Sequence, residues 1–160
     1  MSDFVHWLNG WLLEIPEIDH EHKELVDLLN RLALCRCDEE SACVDVDIMA
    51  LLEEIGLHTR RHFKHEEAFM REAGYPRYED HRYEHMTLLA EFSELLREVK
   101  STGLQCLDQR TLASLKSWLI SHIAGADRRF GEYHRGLRSG AMGHGQDRFD
   151  RYWTRRAGEH

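Results

Sequence analysis

The chain has 160 residues, 42% hydrophobic and 31% charged, with a formal net charge of -8. That length suits one domain, which buries roughly 70% of the surface its unfolded chain exposes. With 29 acidic against 21 basic residues the chain lacks the basic footprint of a general nucleic-acid binder, and no apolar run approaches the ~18 residues of a membrane span. The N-terminus has no basic region of a secretory signal, so the expected address is the cytoplasm. Only two prolines favour long helices, and twelve histidines call for a chemical reason.

Met1 to Ile15 carries Phe4, Trp7, Leu8, Trp11, Leu12 and Leu13 without a clean period and reads as an arm packed on the domain. Pro16 suits the first turn of a helix running to about Cys35. Asp38 to Ser41 is a polar loop. A second helix is predicted from about Asp45 to Ala73, stopped by Gly74 and turned by Tyr75-Pro76. A third runs from about Arg77 to Ser101 and ends at Thr102-Gly103. Asp108 is an N-cap candidate for a fourth helix to about Leu137. Short loops between long amphipathic helices predict an all-α, up-down-up-down antiparallel four-helix bundle over residues 1–138. Residues 139–160 read as a flexible, glycine-rich linker and a C-terminal segment carrying Phe149, Tyr152 and Trp153, either a tail or a docked terminal helix, and a place for a protein partner. Cys35, Cys37 and Cys43 cluster while Cys106 lies far away. Four cysteines are too few for a disulfide scaffold, and they read as thiols in and near a loop.

The core seams contain unexpected residues. By helical spacing, the first helix buries Ile18, His22, Leu25, Leu29 and Leu32. The second buries Ile48, Leu52, Ile55, Thr59, His62, Glu66 and Phe69. The third buries His81, His85, Leu88, Phe92, Leu95 and Val99; the fourth buries Leu112, Leu115, Leu119 and His122. A lone seam histidine is usually a satisfied core residue. Five of them with a glutamate, at matching depths near one end of an antiparallel bundle, point to metal, since unpaired burial costs several kcal/mol per group. Histidine with carboxylate suits zinc, iron, copper or manganese.

Beyond His122, regular spacing would bury Ala126 and Arg129. One extra residue in the turn moves the seam to Asp127 and Phe130, so a π-type turn is predicted near Gly125. The donor set is then His22, His62, Glu66, His81, His85, His122 and Asp127. Seven donors are too many for one open ion. They suit two ions bridged by two carboxylates, in which the ion with three histidines is closed and the ion with two is open. The set is poorer in carboxylates than di-iron oxygenases, which use paired Glu-x-x-His motifs. Here the only such motif is Glu17 to His20. Fewer anionic ligands disfavour high-valent iron, so the centre is expected to stop at bound peroxide and release O2 again.

These residues resemble the hemerythrin family, particularly its bacterial single-domain members. Ile18-Asp19-His20-Glu21-His22 resembles I-D-x-x-H, and His62-Phe63-Lys64-His65-Glu66-Glu67 resembles H-F-x-x-E-E. Tyr75-Pro76 with His81 and His85 resembles Y-P…H-x3-H, and Trp118-Leu119…His122-Ile123…Asp127 resembles W-L-x-x-H-I-x3-D. The ordered set spans about Phe4 to Tyr133. The resemblance implies two iron ions (Fe2+/Fe3+) with a bridging oxo or hydroxo group and O2 as ligand. It implies that His81, His85 and His122 hold the closed iron, that His22 and His62 hold the open one, that Glu66 and Asp127 bridge, and that Leu119 lines an apolar oxygen pocket. Glu21 stands where the family often has glutamine. His58 stands where an aromatic is common; it is a candidate for orienting a ligand through a hydrogen bond, although a core-edge role is preferred. His20 and His65 are read as surface residues.

The leading reading is reversible O2 binding for storage, delivery or sensing, without catalysis. The alternative is a di-iron enzyme acting on peroxide or nitric oxide. A structural or metal-buffering bundle ranks third.

Overall fold

The computed structural model describes residues 3–37, 47–103 and 106–140. It is an all-α four-helix bundle. Helix α1 (Pro16–Ala33) packs on α2 (Ile48–Glu72), α2 packs on α3 (Tyr78–Thr102), and α4 (Gln109–His122) returns beside α1. A five-residue π turn, Ile123–Asp127, follows α4 and leads straight into α5 (Arg128–Arg138), so the three form one continuous fourth rod. The predicted π turn is present.

Local sequence sets these boundaries. Pro16 occupies the first turn of α1, where its missing N–H costs nothing, and Glu17 and Asp19 complement the helix dipole there. Asp47 caps α2 by accepting from Ala50 N, and Asp108 caps α4 by accepting from Thr111 N. The predicted start of α2 at Asp45 lies outside the described residues. At its end, Gly74 adopts φ +63°, Tyr75 N donates to Met70 O and Gly74 N donates to Arg71 O. This pair of bonds is the Schellman closure that glycine makes possible.

The core has two parts. The larger contains Leu25, Leu29, Leu32, Leu52, Ile55, Phe92, Leu112, Leu115 and Leu119. The smaller contains Leu13, Ile15, Ile18, Phe69, Met70, Tyr75 and Phe130. Each of the larger buried side chains contributes about 1.5–3 kcal/mol. The N-terminal arm builds part of the smaller cluster. Val5 exchanges both backbone hydrogen bonds with the Asn30 side chain, at 2.7 and 3.0 Å. Leu13 is buried against Gly131, where a Cβ would lie 3.0–3.2 Å from Leu13 atoms. Only glycine allows the arm so close to α5.

The far end of the bundle corrects the cysteine expectation. Cys37 and Cys106 form a disulfide with an S–S length of 2.05 Å. Beside it Cys37 N donates to Leu107 O at 3.0 Å and Leu107 N donates to Cys35 O at 2.8 Å. This backbone bridge brings the loop after α1 to the loop before α4, and so joins cysteines 69 positions apart in sequence. Cys35 is buried, and Cys43 lies outside the described residues, as do Phe149, Tyr152 and Trp153 of the tail. No described helix is long and apolar enough to cross a membrane.

Candidate metal centre

Between the two apolar clusters lies a polar layer. α1 supplies His22, α2 supplies His62 and Glu66 one turn apart, and α3 supplies His81 and His85 one turn apart. The fourth rod supplies His122 and Asp127, and all seven are at most 3% exposed. The π turn is what allows His122 and Asp127 to face the same layer. Ordinary winding would leave Asp127 about 140° round the axis from His122. The expectation of convergence near one end needs one refinement: the layer is sealed beyond by the smaller cluster, including the arm residues Leu13 and Ile15.

The donors form two groups that share Asp127. The larger is Glu66, His81, His85, His122 and Asp127; the smaller is His22, His62 and Asp127. His85 Nε2 lies 3.1 Å from His81 Nε2 and 3.0 Å from His122 Nε2. Glu66 Oε2 lies 3.2 Å from His85 Nε2 and 3.3 Å from His81 Nε2. Asp127 aims Oδ1 at the larger group, 2.8 Å from His122 Nε2 and 3.1 Å from His81 Nε2. Its Oδ2 lies 3.1 Å from His22 Nε2, which is 3.1 Å from His62 Nε2.

These spacings fit a metal. Donors about 2.1 Å from one divalent ion stand ~3.0 Å apart at octahedral right angles and ~3.4 Å apart at tetrahedral ones. The observed 2.8–3.3 Å matches the octahedral case. All four oxygens of Glu66 and Asp127 are buried without a hydrogen-bond partner among the described residues, an arrangement that costs several kcal/mol unless a cation meets them.

Behind three of the rings stand carboxylates. His62 Nδ1 pairs with Glu21 Oε2 at 3.1 Å, His85 Nδ1 with Glu67 Oε1 at 2.9 Å, and His122 Nδ1 with Glu84 Oε1 at 3.1 Å. An ionised carboxylate only accepts, so each Nδ1 carries the proton and each Nε2 lone pair faces the centre. The pairing also shapes the electrostatics. Burial pulls His122 down, but Asp127 and Glu84 together push it up to about 10. Burial likewise opposes charge on His81, yet Asp127 and Glu66 push it up to about 9. Burial and the charge of Asp127 raise Glu66, but the adjacent His81 and His85 rings hold it well below the usual carboxylate range. Burial raises Asp127 too, and His122, His22 and His81 outweigh it.

The sequence profile of the Hemerythrin HHE cation binding domain matches residues 13–133. The chain belongs to the hemerythrin family. Bacteriohemerythrin of Stenotrophomonas maltophilia is 28% identical over 127 residues, covering 79% of this chain and 78% of its own length. Bacteriohemerythrin of Ralstonia nicotianae is 30% identical over 124 residues, covering 78% and 84%. A wild-type hemerythrin crystal structure superposes with a TM-score of 0.67 at 23% identity, over 81% of this chain and 96% of that one. At that identity the structural likeness speaks for the fold.

Within this hemerythrin fold all seven candidate donors come together. Leu119 is buried in the larger cluster one turn before His122. His58 meets Arg61 and Glu24 at the bundle edge, the ordinary partners preferred for it. His20 is exposed and pairs with Glu24. His65 departs from its surface reading, because it is half-buried and hydrogen-bonded to Glu21. Glu21, Glu67 and Glu84 were not singled out as partners of the donors. The available signal is positional: Glu21 precedes His22, Glu67 follows Glu66 and Glu84 precedes His85, so each carboxylate is the chain neighbour of a donor.

Proposed function

We propose that this protein binds O2 reversibly at a non-haem di-iron centre, for oxygen storage, delivery or sensing. The observation that carries the reading is the asymmetry of the two donor groups, five donors against three, joined by Asp127. The larger group would hold one ion with more protein donors, and the smaller would hold the other with fewer, the side on which a small ligand could be taken up. Two ferrous ions, when bound, would supply the two electrons that O2 accepts on binding and that return on its release.

The residues of the chain have separate tasks. His81, His85 and His122 would hold the closed ion, and His22 and His62 the open one. Asp127, whose two oxygens face the two donor groups, and Glu66 would be shared by both ions. The imidazole orientations on His62, His85 and His122 are set by the three carboxylates behind them. Phe63, 4% exposed, stacks on His85 with ring centroids 3.7 Å apart, and with Leu119 it excludes water from this layer. A dry site slows the protonation and hydration that would trap the oxidised state. The net charge of -8 supports a carrier that acts without nucleic acid. The name bacteriohemerythrin on the relatives supports the same role.

The test is an optical spectrum of protein loaded with Fe(II) without oxygen, exposed to air and then deoxygenated. A visible band that appears and vanishes again is expected. Irreversible passage to the diferric form would transfer the protein to the alternative, a di-iron enzyme acting on peroxide or nitric oxide. No oxygen-dependent band with iron bound would overturn the reading.

A further inference from the structure

We infer that Glu21 is the positioning residue of the open half of the centre, holding His62 in register with His22 and setting the local charge that favours ferric over ferrous iron there. The inference rests on the di-iron reading above. The two halves of the layer are supported unequally. Two carboxylates, Glu67 and Glu84, stand behind the three-histidine group. Behind the two-histidine group there is Glu21 for His62, while Nδ1 of His22 is buried with no hydrogen-bond partner among the described residues. Among the described residues, orientation of the open half therefore depends on a single carboxylate.

Glu21 also differs in its surroundings. Its side chain is 10% exposed, against 22% for Glu67 and 42% for Glu84. Water screens the other two charges more effectively than this one. Both of its oxygens are engaged, Oε2 by His62 Nδ1 and Oε1 by His65 Nδ1. Both rings come from α2, so the carboxylate ties α1 to α2 at two points one residue before His22. A carboxylate gripped by two donors cannot turn away, and its negative charge is held against the back of the His62 ring. Such a charge raises ring basicity and stabilises the higher oxidation state of an ion on the opposite nitrogen.

Substitutions separate geometry from charge. Gln in place of Glu21 keeps one acceptor oxygen for His62 and offers an amide donor to His65, whose ring is exposed enough to change tautomer. Ala removes both. The experiment uses the full chain, titrated anaerobically with Fe(II), with the potential of the loaded centre read by spectroelectrochemistry. Glu21→Gln is expected to bind two irons and to shift the ferric-to-ferrous ratio at fixed potential at least tenfold toward ferrous, which is 59 mV for one electron. Glu21→Ala is expected to weaken the second iron 10–100-fold and leave the first within threefold of wild type. In the metal-free protein, nitrogen NMR of His62 is expected to show a fixed Nδ1–H tautomer in the wild type and a mixture in Glu21→Ala. Glu24→Gln, on the same helix but outside the layer, is the control. A Glu21→Gln potential within threefold of wild type in that ratio would overturn the charge role. An unchanged second-iron affinity and His62 tautomer in Glu21→Ala would overturn the positioning role. Wild-type protein that binds fewer than two irons would overturn the di-iron reading itself, and this inference with it.

Discussion

Opening the Cys37–Cys106 disulfide is a perturbation whose size follows from topology. The bridge closes a loop of 69 residues that contains all of α2 and α3. Restricting that loop in the unfolded chain is worth about 4.4 kcal/mol at 25 °C on the chain-entropy relation. For a chain of this size each kcal/mol moves the melting temperature by about 2–4 °C, so reduction is expected to lower Tm by roughly 9–18 °C. The two backbone hydrogen bonds of the adjacent bridge remain, and they keep the native loops aligned after reduction. The metal layer should be spared, because His122 lies 14 residues beyond Asp108, about 20 Å along α4. Thermal unfolding followed by circular dichroism, with and without a phosphine reductant at constant iron content, measures the shift. Cys106→Ser without reductant should melt with the reduced protein. A reduced protein that melts within 3 °C of the oxidised one, or a Cys106→Ser variant that matches the oxidised form, would refute the loop-entropy argument.

Other perturbations act on the layer itself. Deleting Gly125 should turn the π turn into ordinary α winding with His122 and Asp127 four positions, about 40° round the axis, apart; far-UV ellipticity and an iron stoichiometry of two should both be kept, and a loss of iron would contradict the account of the turn as one inserted residue. Glu66→Ala should release one or both ions on iron analysis, and a variant that keeps two irons with unchanged oxygen binding would contradict the bridging role. Gly131→Ala places a methyl 3.1 Å from the Leu13 Cα; the helix gains up to about 1 kcal/mol from losing glycine, but overpacking against backbone costs about 1–3 kcal/mol. A net loss, with Trp7 and Trp11 fluorescence shifted as the arm lifts, is expected. In the metal-free protein His81 and His122 are raised to about 9 and about 10. Raised histidines stabilise the fold fully below their unfolded value near 6.5 and lose that contribution as pH climbs through the folded values. Glu66 and Asp127 are depressed, so their contribution is present above about pH 4 and fades in acid. Urea midpoints of the metal-free protein should therefore decline from about pH 6.5 to 10; a flat profile there contradicts the pairing.

Much of this was legible because helical period and buried polarity are local signals. His62 and Glu66, or His81 and His85, declare one face by their four-residue spacing. The π turn was readable because continuing the seam without it would have buried Arg129, which is exposed in the structure. The cysteine pair was illegible for the opposite reason. Nothing near Cys37 names Cys106 as its neighbour; only the return of α4 beside α1 creates the contact. The same holds for Glu84 and His122, 38 residues apart. His65 looked like a surface residue because its spacing from His62 and Glu66 puts it off the seam, yet Glu21 reaches across from α1 to meet it. Cross-helix polar pairs depend on side-chain reach at a given depth, which periodicity does not encode.

The donor layer draws on every helix, and this imposes a schedule on biosynthesis. Ribosomes add about 5–20 residues per second, so the 105 positions from His22 to Asp127 take about 5–20 s to appear. Throughout that interval the nascent chain carries imidazoles and a glutamate without the aspartate common to both donor groups. Asp127 is the last of the seven to be made, so a site that uses both donor groups cannot form before that residue is added. The arm waits longer still: Leu13 has no seat until Gly131 has been added. Closure of the small apolar cluster and completion of the donor layer therefore wait until the chain has been made at least as far as Gly131 and Asp127.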